Sequence, residues 1–267
     1  MEAQLTTPVF YIMLLCSICI QGLCQQNEDS FLLANSEKWK VKQNKGMFGL
    51  AKPQFGYYTT LDIVKANEPT IKKKTKESSE MDAEIPDRGT DIIDFNKYLT
   101  INKTKSYKIL IAEQADTIKA TFEISSVSKE KRQTLLNKML SKNDEDKGAV
   151  LSYNRDVAGV ITTGVDEKLW TFVIHNYTSG SRITEENGYP YASISGAYLN
   201  SENDSLAVQT YSSFDADLIL TNSKGEHLAA LKYSHTPAYV WIRRDLEGVC
   251  QQSIAALFAI IIGIRDL

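Results

Sequence analysis

The stretch from Asp245 to Ile264, DLEGVCQQSIAALFAIIIGI, decides the fold. Its core, Ile254 to Ile264, is 11 residues without a polar side chain. Asp245 and Glu247 precede it, where the positive end of a helix dipole favours acids. Ile260, Ile261 and Ile262 alone would suit a strand as well, but the polar lead-in Gln251-Gln252-Ser253 favours a helix over Val249 to Ile264. A surface helix carries one apolar stripe, and a helix apolar on every face is buried on every face. The 11 residues span about 16 Å, well short of the ~30 Å hydrocarbon core of a bilayer. Arg265 and Asp266 follow at once, which disfavours a membrane span, a tail anchor or a lipid-anchor signal. The remaining solution is burial inside this chain's own sheet. A sheet that surrounds a helix is a barrel.

Upstream of that helix, from Glu37, the chain reads mostly as strands. Thr117 to Ile124 is the cleanest: Ile118, Ala120, Phe122 and Ile124 alternate with Thr117, Lys119, Thr121 and Glu123, the period of a half-buried strand. Trp39 and Val41 alternate with Lys40 and Lys42, and Phe55, Tyr57 and Thr59 with Gly56, Tyr58 and Thr60. Further strands are predicted at Tyr107–Glu113, Val150–Tyr153, Val157–Thr163, Leu169–His175, Ala192–Leu199, Leu206–Tyr211, Asp217–Thr221, His227–Tyr233 and Ala238–Ile242. Turn residues separate them at Asn154-Arg155-Asp156, Asn187-Gly188-Tyr189-Pro190, Asn200 to Asp204 and Asn222-Ser223-Lys224-Gly225, the last closing a hairpin. The predicted class is mainly β: an antiparallel barrel-like sheet of about 10–12 strands around a hydrophobic C-terminal helix.

Two stretches break the alternation. Residues 62–98 are charge-rich, basic first (Lys65, Lys72, Lys73, Lys74, Lys76) and acidic after (Glu77, Glu80, Asp82, Glu84, Asp87, Asp91, Asp94). They read as a charged surface loop inserted in the domain. The basic run could touch anionic lipid, but the acids that follow favour a solvated loop. Ser128 to Ser141 reads as an amphipathic helix capped by Ser128, with Lys131, Leu135, Leu136 and Leu140 at near-helical spacing.

The alternating strands, the late hairpin ADLILTNSKGEHLAALKY and the ending DLEGVCQQSIAALFAIIIGI together resemble the tubby-like barrel superfamily, which includes phospholipid scramblases and plant LURP-one-related proteins. The resemblance lies in architecture and covers Trp39 to Ile264. It implies about a dozen antiparallel strands closed around a C-terminal helix. It carries over no functional residue, and the charged 62–98 segment and the export signal depart from the familiar members.

That export signal is Val9 to Ile20, VFYIMLLCSICI, an uncharged run of 12 residues and the length of a signal-peptide core. Gly22 and Cys24 suit cleavage between Cys24 and Gln25, making residues 1–24 a signal peptide and 37–267 a single barrel-like domain. The leading MEAQLTTP lacks the usual basic residues, so an anchor at residues 9–20 is the alternative. Cleavage would leave 30 basic against 32 acidic residues and one cysteine, Cys250, of the four. A single thiol forms no internal disulfide. An exported, cysteine-poor chain rich in Lys, Asn and Ile fits a bacterial envelope, secreted or periplasmic. Asn102, Asn176 and Asn203 begin glycosylation sequons that chance explains in so Asn-rich a chain.

The near-neutral balance gives no nucleic-acid footprint. His175, His227 and His235 lack metal-ligand spacing, no nucleophile elbow or phosphate loop is found, and no catalytic residue, metal ligand or cofactor is assigned. Cys250 reads as a small buried hydrophobe. Trp39, Trp170 and Trp241 read as strand packing, while Tyr189 and Tyr191 around Pro190 are the best exposed aromatics. The function expected is a non-catalytic envelope module binding lipid, glycan or protein. The alternatives are an envelope hydrolase using carboxylates at the barrel mouth, or a membrane-tethered signalling module if residues 9–20 stay attached.

Overall fold

A period of two runs through most of the chain, and the sheet follows from it. The computed structural model describes residues 29–45, 51–81, 95–114, 116–132, 150–163, 168–179, 194–202, 204–209, 216–234 and 236–264. Residues 29–35 are helical, and this described stretch is α1. The strands are β1 Ser36–Lys40, β2 Lys42–Lys45, β3 Ala51–Phe55, β4 Tyr58–Lys65, β5 Thr70–Met81, β6 Phe95–Glu113 and β7 Asp116–Arg132. They continue as β8 Val150–Thr163, β9 Lys168–Ser179, β10 Ile194–Asn200, β11 Ser205–Gln209, β12 Leu218–Asn222, β13 His227–Lys232 and β14 Tyr239–Arg243. The last element is the helix α2, Gly248–Gly263.

The 14 strands form one antiparallel sheet in the order β1-β14-β13-β12-β11-β10-β9-β8-β7-β6-β4-β3-β2, with β5 also pairing β6. The two ends of that path are consecutive in the chain. β1 pairs β14, β2 pairs β3, and only Val41 lies between them, its amide donating to the Ala238 carbonyl at 2.9 Å. Residues 36–45 thus nearly close the barrel, which removes most of the edge that an open sheet would expose.

Inside lies α2. Its residues from Gln252 to Ile264 are buried, and it touches β3, β6, β7, β8, β9 and β14. A helix without an apolar stripe has found apolar neighbours on all sides, as its sequence requires. The β7 alternation holds: Ile118, Ala120, Phe122 and Ile124 are buried, and Thr117, Lys119, Thr121 and Glu123 are exposed. β12 to β14 are buried on both faces because α1 covers the outside. There Ile219, Ala230 and Trp241 stand in one cross-strand row, and Leu32 of α1 is buried against them. Cations flank this patch: Lys38 Nζ lies 4.3 Å above the Tyr239 ring, and the Arg243 guanidinium 4.8 Å from Phe31.

One inner row carries the aromatic core. Tyr107, Phe122, Gly159 and Phe172 face each other across β6 to β9. The Phe122 and Phe172 rings approach to 6.3 Å across the strand that holds Gly159. A Cβ on Gly159 would fall 2.4 Å from the Thr121 carbonyl oxygen and 2.5 Å from Phe122 Cβ, so the backbone itself would have to move. Gly159→Ala is expected to destabilise the protein by about 1–3 kcal/mol, read as a lower urea midpoint. An unchanged midpoint would contradict this packing.

Four readings of the sequence need correction. The charged segment 62–98 is largely strand. Residues 62–65 end β4, Thr70–Met81 is β5 and Phe95 opens β6, while 82–94 lie outside the described residues. Its apolar period is missing because β5 extends beyond the barrel, with Ile71, Lys72 and Lys73 all exposed. The helix expected from Ser128 to Ser141 is not formed in its first turn, since β7 runs to Arg132 between β6 and β8, and 133–141 lie outside the described residues. Asn154-Arg155-Asp156 is no turn, because β8 passes straight through it, paired on both sides. The run Phe55 to Thr60 is not one strand. It turns at Gly56, whose φ of 52° is left-handed, and the Trp39 ring packs on the bare glycine.

Candidate functional site

β6 to β9 are longer than the barrel, and their inner face continues past the end of α2. The register sets out what it presents there. Lys103, Ser126 and Arg155 form one row, Ile101, Ser128 and Tyr153 the next, and Lys105 faces Ile124. The same residues line a cavity of about 80 Å³. Inside the barrel these positions are apolar (Tyr107, Phe122, Ile161), so the change to cations and hydroxyls marks where the core ends and a polar mouth begins.

Arg155 joins the mouth to the helix. Its Nη1 donates to the Ile264 carbonyl at 3.2 Å, so a cation meets the negative end of the α2 dipole. Burial pulls the guanidinium below its ordinary pKa, opposed by Tyr153 and Tyr233. It remains a cation at any physiological pH. Its Nε is buried without a hydrogen-bond partner among the described residues. Lys103 and Lys105 are half-buried and form no ion pair among those residues.

The opposite end of α2 is polar in another way. Gln252 Nε2 donates to Glu113 at 2.6 Å, and burial, with Glu113 beside it, pushes the Tyr58 hydroxyl pKa up. The Gln251 amide spans the Arg243, Arg244 and Leu246 carbonyls and ties down the turn into the helix. Cys250 sits in the first turn. Burial, then Asp204 and Glu247, raise its thiol from 9.0 to about 11, against a smaller opposite effect of Lys168. At pH 8 the folded thiol is therefore roughly one part in a thousand thiolate, and alkylation by iodoacetamide should run about 100-fold slower than in urea. Equal rates would contradict the burial. Because the folded pKa is the higher one, the folded state keeps its proton between pH 9 and 11 while the unfolded chain loses it. Stability from this group is complete below pH 9 and lost across that window.

The residues singled out from sequence are scattered. Trp170 is core, Trp39 packs on Phe55 and Tyr58, and Trp241 lies under α1. His175 pairs with Asp156 at 2.9 Å on the surface. His227 is buried 2.8 Å from Asp29 of α1, a contact whose angles lie outside those of a hydrogen bond. His235, Tyr189, Pro190 and Tyr191 lie outside the described residues. Among the described residues no group of three or more His, Cys, Asp or Glu could hold a metal ion. None of their helices is long and apolar enough to cross a membrane. Of the sequons, Asn102 is exposed on the outer face of β6. From the sequence no binding role attaches to the mouth residues: Lys103, Lys105 and Ser126 are passed over, Ser128 is read as a helix cap, Tyr153 as a strand end and Arg155 as part of a turn. The usable signal was the alternation of β7, which continues beyond Ile124 as Ser126 and Ser128.

The chain matches no protein-family model, no curated protein and no solved structure.

Proposed function

We propose that the protein is an exported, non-catalytic envelope module that binds a ligand at the mouth of its barrel. The carrying observation is the cavity itself. Three cations, two serine hydroxyls and a tyrosine converge beside the C-terminal end of a rigidly packed helix, with Ile101 and Ile124 at its apolar side. Such a site has fixed charge and hydrogen-bonding groups on stiff strands, the arrangement that binding needs. Lipid, glycan and protein ligands remain the classes to be compared. A hydrolase would need two close carboxylates at the mouth, and the described lining carries none.

The helix inside a nearly closed antiparallel barrel supports kinship with the tubby-like barrels. Export is supported by the 12-residue apolar run, Val9 to Ile20. Cleavage after Cys24 would also leave the described part of α1, with Asp29 buried beside His227, on the mature chain. The test has two parts. N-terminal sequencing of the exported protein should begin at Gln25, and a start at Met1 would make it an anchored protein. Backbone amide shifts should move at the mouth when the right ligand class is added. Turnover of ester, phosphate or glycoside substrates by the pure protein would overturn the non-catalytic reading.

A further inference from the structure

We propose that the mouth cavity takes a phosphate-type oxyanion, held between Lys103, Lys105 and Arg155. This rests on the reading of the mouth as the ligand site and names its ligand class.

Size comes first. The cavity holds about 80 Å³. One water needs roughly 10–15 Å³ of such space, and pockets for drug-sized ligands reach roughly 300–1,000 Å³. The space seats one compact polyatomic group, and the rest of any larger ligand would lie outside it.

Charge comes second. Lys103, Lys105 and Arg155 bring three positive charges, and none of the described lining residues is a carboxylate. A lone carboxylate ligand would neutralise one of them. A phosphate monoester carries about −1.5 to −2 at neutral pH and three strong acceptor oxygens. Hydrogen bonds between ionised partners are the strong ones, and a guanidinium suits an oxyanion geometrically.

Donors come third. Arg155 spends Nη1 on the Ile264 carbonyl and keeps a buried Nε–H without an acceptor among the described residues. A buried donor left unpaired is costly. That Nε is shielded from the cavity, so the donors offered there are the two lysine ammoniums, the outer guanidinium N–H groups and the hydroxyl of Ser126, which stands between Lys103 and Arg155 in the same row. The C-terminus of α2 opposes an anion, but Arg155 already stands between that end and the cavity.

Two sources share this chemistry, a soluble phosphate compound and a phospholipid headgroup. The test titrates the purified protein with inorganic phosphate, followed by amide resonances, with chloride at matched ionic strength. In parallel it measures sedimentation with phosphatidylcholine vesicles containing phosphatidic acid or phosphatidylserine. The amides of residues 103–105, 126–128 and 153–155 should shift saturably with phosphate and not with chloride. Lys103→Gln and Lys105→Gln should each weaken binding about tenfold. Lys108→Gln, exposed on the outer face of the same strand, should leave it unchanged. Sedimentation favouring phosphatidic acid and lost in Lys103→Gln assigns a headgroup, while phosphate binding without it assigns a soluble compound. Shifts equal in chloride, or untouched by Lys103→Gln, would overturn the proposal. If a neutral oligosaccharide moved those amides and phosphate did not, the ligand class would fall and the mouth would stand. If none of these probes moved them, both would fall.

Discussion

Ala256→Asp is expected to leave no folded protein. Ala256 lies mid-way along α2 and is fully buried, with barrel wall or helix on every side. The helix residues on either side of it, Gln252 to Gly263, are buried too, so an aspartate there is cut off from water. An unpaired buried charge costs several kcal/mol, and taking up a proton still leaves a buried carboxyl without hydrogen-bond partners, against a total stability of about 5–15 kcal/mol for an ordinary domain. The expected result is insoluble protein, or soluble protein without a cooperative thermal transition. Ser223→Asp, in the exposed turn between β12 and β13, adds the same charge and should keep the wild-type transition. A folded Ala256→Asp protein would mean that one face of α2 reaches solvent.

Phe172→Ala should cost about 3–5 kcal/mol. Phe172 is buried on the inner face of β9, next to Gly159 on one side and Leu199 on the other. Its ring is the last of a row whose Phe122 and Tyr107 rings lie 5.6 Å apart. Truncation opens a cavity between two strands that cannot close, because the barrel fixes their spacing. Leu169→Ala on the same strand is the control. Leu169 is 57% exposed, so its loss should stay within about 0.5 kcal/mol. A Phe172→Ala loss below 1 kcal/mol in urea unfolding would contradict the aromatic row.

The barrel was legible where one face of a strand met the helix. β7 from Thr117 to Ile124 and the hairpin at Asn222-Ser223-Lys224-Gly225 read directly, because burial on one side writes a period of two into the residues. The buried helix read even more clearly, since a segment apolar all round has few places to go. Legibility ended where strands left the barrel. In β5, Ile71, Lys72 and Lys73 are exposed alike, so Thr70 to Met81 carries charge without period and resembles a loop. Asn154-Arg155-Asp156 resembled a turn for a related reason. Arg155 faces inward at the mouth, where the inner surface has become polar. The site escaped notice by the same physics: its residues come from β6, β7 and β8, and only the strand register sets Lys103, Ser126 and Arg155 side by side. α1 was hidden because Leu32 and Asp29 find their partners on β12 to β14, some 200 residues away.

The claim on which everything else stands is that α2 occupies the inside of a nearly closed barrel. Native-state hydrogen exchange tests it most directly. The amides from Ile254 to Ile262 should be among the slowest in the protein and exchange only through global unfolding, with the free energy measured by urea. Exchange of those amides by local opening, faster than the amides of β12 and β13, would place the helix outside the sheet and contradict the account.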